Sequence, residues 1–162
     1  KSNYLESLIR PFMNTDRFKM LVSVHVLFLK NSEILLSLRK NISSDGLYGV
    51  VAGHLDGGET VTEAIIREAK EEVGVVLDSA DIEMATICHS YNPRSNDEFI
   101  QFYVFCTKWQ GEIKNNEPGK CGGLKFFSIN SLPDNMVHYV KVGIRNALDG
   151  VRYYEYGRHG EP

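Results

Sequence analysis

The stretch that ends at Gly74 constrains this chain more than any other. Thr60 with Glu63 matches a capping box, in which each side chain satisfies an otherwise orphaned backbone donor at a helix start. Gly74 stands where a helix stops in the left-handed conformation, so the spacing predicts a helix over residues 60–73. At about 100° per residue, Ile65, Ile66, Ala69 and Val73 fill one broad sector that should face a core. Glu63, Arg67 and Lys70 fill the opposite, water-facing sector. Glu68, Glu71 and Glu72 gather on the flank of the apolar sector as a ridge of three carboxylates.

Such a ridge has an ordinary explanation, a solvated acidic face, because like charges about 6 Å apart repel by under about 1 kcal/mol in water. Val61, Ala64 and Ile65 border this one, and partial enclosure raises the repulsion to roughly 3 kcal/mol at an effective dielectric of about 20. A partly enclosed acidic ridge needs a cation. Carboxylate oxygens select hard ions, so Mg²⁺ or Mn²⁺ is the expected occupant. Gly53, Gly57 and Gly58 precede the helix. They let the backbone bend tightly and can turn carbonyls or amides toward a ligand, although alone they would read as a plain glycine-rich turn. Loop, capped helix and ridge together describe a metal site for an anionic substrate, with phosphate the obvious candidate.

Around this unit the chain reads as strands. Met20 to Leu29 is β-branched and aromatic, Asn31-Ser32 is a turn, and Ile34 to Leu38 completes a hairpin. Leu47 to Ala52 is a short third strand after the polar loop Asn41–Gly46. Ile82 to Ser90 and Glu98 to Trp109 are two more, joined by the turn Tyr91–Asp97, and Leu124 to Phe127 follows the long polar loop Gln110–Gly123. A second helix begins after Pro133-Asp134, with Val137, Val140, Ile144, Ala147 and Leu148 on one side and Gly150 at its end. The order β-β-β-α-β-β-β-α fits neither strict βαβ alternation nor an all-β domain, so an α/β fold with a mixed sheet between helices is expected. Residues 1–17 read as a lead-in, 18–150 as the domain and 151–162 as a tail.

Composition narrows the function classes. With 162 residues, 43% of them hydrophobic, the chain suits one domain with a real core. The formal net charge of −3 leaves no basic excess to bind a nucleic acid polymer or an anionic membrane surface. No run reaches the roughly 20 apolar residues of a membrane-spanning helix. Three cysteines, Cys88, Cys106 and Cys121, are an odd count without paired spacing, and the first residues show no secretory pattern, so a reducing, cytoplasmic setting is expected.

Gly53, Glu59 and the run Arg67-Glu68-Ala69-Lys70-Glu71-Glu72-Val73-Gly74-Val75 resemble the Nudix box, G-x5-E-x7-R-E-U-x-E-E-x-G-U with U a bulky aliphatic. The one departure is Ala69, smaller than the usual aliphatic. Upstream, Val51 and Ala52 stand where the family usually has Pro and Gly. The resemblance implies a Nudix α/β/α sandwich over about residues 18–150. It also implies Mg²⁺-dependent hydrolysis of a nucleoside diphosphate linked to another moiety, with Mn²⁺ an alternative ion. It implies that Glu68, Glu71 and Glu72 hold the metal, with the Gly53 carbonyl as a further ligand. Glu68 is the box's best candidate for deprotonating water, although the family also places its base outside the box. Arg67 and Glu59 would orient helix and loop, with a simple i,i+4 pair between Arg67 and Glu71 as the ordinary alternative.

Outside the box, Glu117 in Asn115–Lys120 resembles the extra acidic metal ligand or base of some MutT-type members, against a solvated loop charge. Arg39 is a candidate phosphate contact, against an ordinary surface arginine. Tyr91 and Pro93 lie near positions used by dinucleoside polyphosphate and ADP-ribose hydrolases, yet read better as turn residues. The expected substrate is a small nucleotide, a (deoxy)nucleoside triphosphate cleaved to monophosphate and pyrophosphate. ADP-ribose-like nucleotide sugars and dinucleoside polyphosphates are the alternatives. A non-catalytic nucleotide sensor is the alternative from another class, and the intact set Glu59, Glu68, Glu71 and Glu72 argues against it. Family members are often homodimers, though no residue here shows one.

Overall fold

Ten residues, the middle six of them buried without interruption, form the central strand β1 (Leu21–Lys30). The structure, a computed structural model, describes residues 18–158, so the lead-in expected over 1–17 lies outside the described residues. Val24, Val26 and Phe28 point to one hydrophobic cluster, while Leu27 points to a second on the other face. Burial on both faces explains why the strand reads as a nearly continuous apolar run.

β1 pairs antiparallel with β4 (Val51–His54) and parallel with β6 (Asp97–Cys106). β6 pairs antiparallel with β5 (Ile82–Asn92), and β5 pairs parallel with β8 (Tyr153–Tyr156). At its end β1 also makes a hairpin with β2 (Glu33–Arg39), which is flanked by β3 (Tyr48–Gly49) and β7 (Cys121–Ser128). The result is one mixed eight-stranded sheet. Helix α1 (Val61–Val73) packs Ala64, Ile65, Ala69 and Val73 into the first cluster. Helix α2 (His138–Leu148) packs Val140, Ile144 and Ala147 into the second. The fold is therefore an α/β/α sandwich with its mixed sheet between helices.

Several boundaries differ from the sequence reading. The third strand divides into β3 and β4 at Val50, because Tyr48 and Gly49 pair with β2 while Val51–His54 turn to β1. Gly53 thus sits in a strand and not in the flexible loop. β6 ends at Cys106, short of Trp109, and β7 starts at Cys121, ahead of Leu124. A short 3-10 turn at Ser79–Asp81, capped by Asp78, leads into β5. β8 lies in the segment read as a tail: its three tyrosines carried a strand signal, but its partner β5 is remote in sequence and no local pattern announces the pairing.

Candidate functional site

The site is built where β4 passes beside α1. The capping box is present at the start of α1: the Glu63 amide donates to Thr60 Oγ1 at 3.2 Å, and the Thr60 amide donates to Glu63 Oε2 at 2.7 Å. At its end Gly74 adopts φ 75°, and its N–H donates to the Lys70 carbonyl. Between these caps the ridge faces β4, and Glu68 is only 8% exposed.

Arg67 is the hub of the site. It does not remain on the water-facing sector that helix geometry alone gives it, but folds back over the ridge. Its Nε and one terminal nitrogen grip both oxygens of Glu59, at 3.1 and 2.7 Å. That same terminal nitrogen donates to the His54 carbonyl at 3.0 Å, and the other donates to Glu68 Oε1 at 2.6 Å and Glu71 Oε2 at 3.4 Å. The orienting pair with Glu59 and the i,i+4 pair with Glu71 therefore coexist. A guanidinium has five N–H donors, and these contacts occupy them all. Glu59 also accepts the Asp56 amide at 2.7 Å; the Arg67 hydrogen bonds, followed by this one, hold its carboxyl below the usual range.

The remaining carboxylates sit in less favourable surroundings. Burial raises the Glu68 carboxyl, with the negative charges of Glu71 and Glu117 adding to the effect and Arg67 opposing it. Burial pushes Glu72 up to about 8, despite the hydrogen bond its Oε1 accepts from the Ala52 amide at 3.1 Å. Gly53 passes so close to Glu68 that a Cβ at that position would overlap the Glu68 carboxylate. A side chain here would exclude the acid from its place.

A second loop completes the wall. The Lys114 and Asn116 amides donate to the Val73 and Glu72 carbonyls, both at 3.0 Å, and Asn116 Nδ2 donates to the Lys70 carbonyl at 3.3 Å. The two amide contacts satisfy carbonyls that a helix end leaves orphaned, and the Asn116 side chain adds a second donor to the Lys70 carbonyl. They bring Glu117 and Lys120 beside the ridge, where Lys120 Nζ meets Glu117 Oε1 at 2.7 Å.

Arg39, Gly53, Arg67, Glu68, Glu71, Glu72 and Glu117 all line one cleft of about 380 Å³, and Glu59 stands behind Arg67. Arg39 Nε donates to the Ser43 carbonyl at 2.7 Å. Tyr91 and Pro93 do not line the cleft; the Tyr91 hydroxyl donates to Asn96, and Arg158 lies over its ring. Sequence reasoning assigned nothing to Lys120, His54, Asp56 or the Ala52 amide, which also border the cleft or its acids. The one available signal for Lys120 was its position three residues after Glu117, across a Pro-Gly turn.

The donor set suits a hard divalent cation: several carboxylates share one cleft, two of them destabilised by burial. Among the described residues no three acidic, His or Cys groups converge into a ready-made ion cage. Arg67 draws Glu68 and Glu71 toward itself, and the Ala52 amide holds Glu72. The residues thus fit such an ion by chemistry, while hydrogen bonds keep their carboxylates separate. Among the described residues no helix is long and apolar enough to cross a membrane.

Comparison with known proteins agrees with this geometry. The NUDIX domain family model matches residues 19–146. A Methanocaldococcus jannaschii protein named ADP-ribose pyrophosphatase is 31% identical over 121 residues, which are 75% of this chain and 69% of that protein. The crystal structure of a MutT NUDIX hydrolase from Burkholderia pseudomallei superposes with a TM-score of 0.72 at 24% identity, covering 83% of this chain and 99% of that one. A Francisella tularensis bifunctional NMN adenylyltransferase/ADP-ribose pyrophosphatase, complexed with AMP and a Mn ion, matches with a TM-score of 0.66 at 23% identity. That match covers 91% of this chain and 46% of the larger one.

Proposed function

Since the chain belongs to the Nudix family of hydrolases, whose members act on acid anhydrides with divalent metals, we propose that it splits a phosphoanhydride in a nucleoside diphosphate linked to a further group, with Mg²⁺ as the working ion. The observation that carries this reading is the meeting of Gly53, Glu68, Glu72 and Glu117 in one cleft, with Glu68 seated where only a glycine leaves room.

Glu68, Glu71, Glu72, Glu117 and the Gly53 carbonyl are the groups that would hold the ion. When bound, a divalent cation neutralises phosphate charge and lowers the pKa of a water it holds. The protein's own groups do the rest. Glu68, a carboxylate largely withdrawn from solvent, takes a proton from the attacking water. The water oxygen bonds to phosphorus as the bridging P–O bond breaks, and the leaving phosphate departs with its electron pair. Arg67 fixes the orientation of Glu68, and Glu59 fixes Arg67 through two hydrogen bonds.

An ADP-ribose-like substrate is favoured by the name of the 31% identical relative. A (deoxy)nucleoside triphosphate is the second reading. The cleft, about 380 Å³ with Arg39 and Lys120 facing it, suits a short and highly charged chain of phosphates. A panel of ADP-ribose, nucleoside triphosphates and dinucleoside polyphosphates with Mg²⁺, its products resolved by chromatography, decides between them. Tight binding with no turnover of any member under any divalent metal would replace the enzyme with a nucleotide sensor.

A further inference from the structure

Among the described residues lining the cleft, three carry permanent or near-permanent positive charge: Arg39, Arg67 and Lys120. All five donors of Arg67 are spent on Glu59, Glu68, Glu71 and the His54 carbonyl. Arg67 therefore serves the scaffold and has nothing left to give a phosphate. Arg39 has committed its Nε to Ser43 and keeps its two terminal nitrogens for a ligand. Lys120 has one contact, to Glu117, and an ammonium carries three donors.

We propose that Lys120 is a substrate-binding residue of this cleft, a cation that grips a phosphate oxygen of the nucleotide. The inference rests on the phosphoanhydride reading above and adds a residue to it. Its support is the way the loop is built. Asn116 and Lys114 fasten the start of the loop to the last turn of α1. On the far side the Lys40 amide donates to the Lys120 carbonyl at 2.7 Å, and Asn41 Nδ2 donates to the Gly119 carbonyl at 3.2 Å. The backbone of Lys120 is thus braced from both flanks, while its side chain remains 61% exposed. An anchored backbone with a mobile charged tip suits a residue that must follow a ligand. The Glu117 pair is no obstacle, because exposed ion pairs contribute little and exchanging a carboxylate oxygen for a phosphate oxygen costs little.

The test titrates α,β-methylene-ADP, in Mg²⁺ buffer, into wild type, K120M and K120R. The side chain is exposed, so all three are expected to melt alike. K120M should bind about tenfold more weakly, the scale of one charge-assisted hydrogen bond, and K120R should stay within about threefold of wild type. Equal affinity of K120M and wild type, or equal loss in both variants, overturns the proposal. Hydrolysis of the nucleotide panel by the same proteins separates the two readings. A wild type that binds the analogue but hydrolyses nothing removes the enzyme and leaves the Lys120 grip standing. A hydrolysing wild type whose KM is unchanged in K120M removes the grip alone.

Discussion

Gly53 and Glu68 fit together so closely that a methyl group on the one would occupy the space of the other's carboxylate. The contact joins a strand to a helix and leaves Glu68 facing the cleft.

It follows that G53A displaces Glu68 while sparing the fold. The clashing atoms are the tip of a flexible side chain, which can swing away without moving backbone. The melting midpoint should stay within a few degrees of wild type. Turnover should fall about a hundredfold, the scale attached to misplacing a catalytic group by about 1 Å. Calorimetry beside a steady-state assay checks both halves, and an active G53A would sink the packing argument.

Replacing Glu72 separates activity from stability in the other direction. Glutamine keeps an oxygen for the Ala52 amide but has no charge to desolvate. E72Q should melt at or above the wild-type midpoint at pH 7, since burial obliges Glu72 to take up a proton on folding at that pH, a cost glutamine does not bear. Activity should drop at least about a hundredfold, corresponding to roughly 3 kcal/mol of lost charge stabilisation. K70A, on the exposed face, should remain near wild type; comparable losses in E72Q and K70A would argue against the assignment.

The same carboxyl predicts a proton signature of metal binding. With Glu72 pushed up to about 8 in the ion-free protein, it carries its proton at pH 7, and a cation must displace it. Calorimetric titration of Mg²⁺ or Mn²⁺ in buffers of different ionisation enthalpy should show close to one proton released per ion at pH 7. The release should fade above about pH 9 and disappear in E72Q. A heat independent of buffer would show that Glu72 does not meet the ion.

These relationships were legible in the sequence to different depths. The capping box and the Gly74 stop appear at their expected positions because they are local: each needs residues within one turn to satisfy orphaned donors and acceptors. The ridge was also legible, since three glutamates at i, i+3 and i+4 share a flank by geometry alone. Arg67 was not. Helix phase puts it toward water, and only the return of β4 and Glu59 beside the helix gives its five donors a reason to fold inward. Lys120 escaped for the same reason. Its loop is fastened to the end of α1 and to the segment after β2, and neither contact leaves a mark in the residues next to it. β8 joins the sheet through a partner more than sixty residues away, beyond the reach of any local pattern.

His25 supplies the last prediction. It lies on β1, 3% exposed, stacked on Tyr103 with ring centroids 4.4 Å apart. Nε2 is 3.3 Å from Ser23 Oγ, and Nδ1 has no hydrogen-bond partner. Burial first, then the charges of His54 and Arg39, lowers its pKa from 6.5 to about 3. As pH falls below 6.5 the unfolded chain takes up a proton that the folded chain refuses until about pH 3, so stability rises with pH across this window and is lost on acidification. The slope approaches about 1.4 kcal/mol per pH unit, or roughly 2 kcal/mol by pH 5. Glu72 acts in the opposite sense. Its folded pKa is raised, so its contribution is fully present below about 4.5 and fades as pH rises through about 8. Comparing wild type with H25F cancels that second effect, because both keep Glu72. Phenylalanine preserves the stack on Tyr103 and cannot titrate. Denaturant unfolding from pH 7.5 to 4.5 should therefore show H25F gaining on wild type steadily below pH 6.5, by about 2 kcal/mol at pH 5. A difference that stays constant over that range would mean His25 is protonated inside the fold, with a partner for Nδ1 that the geometry does not provide.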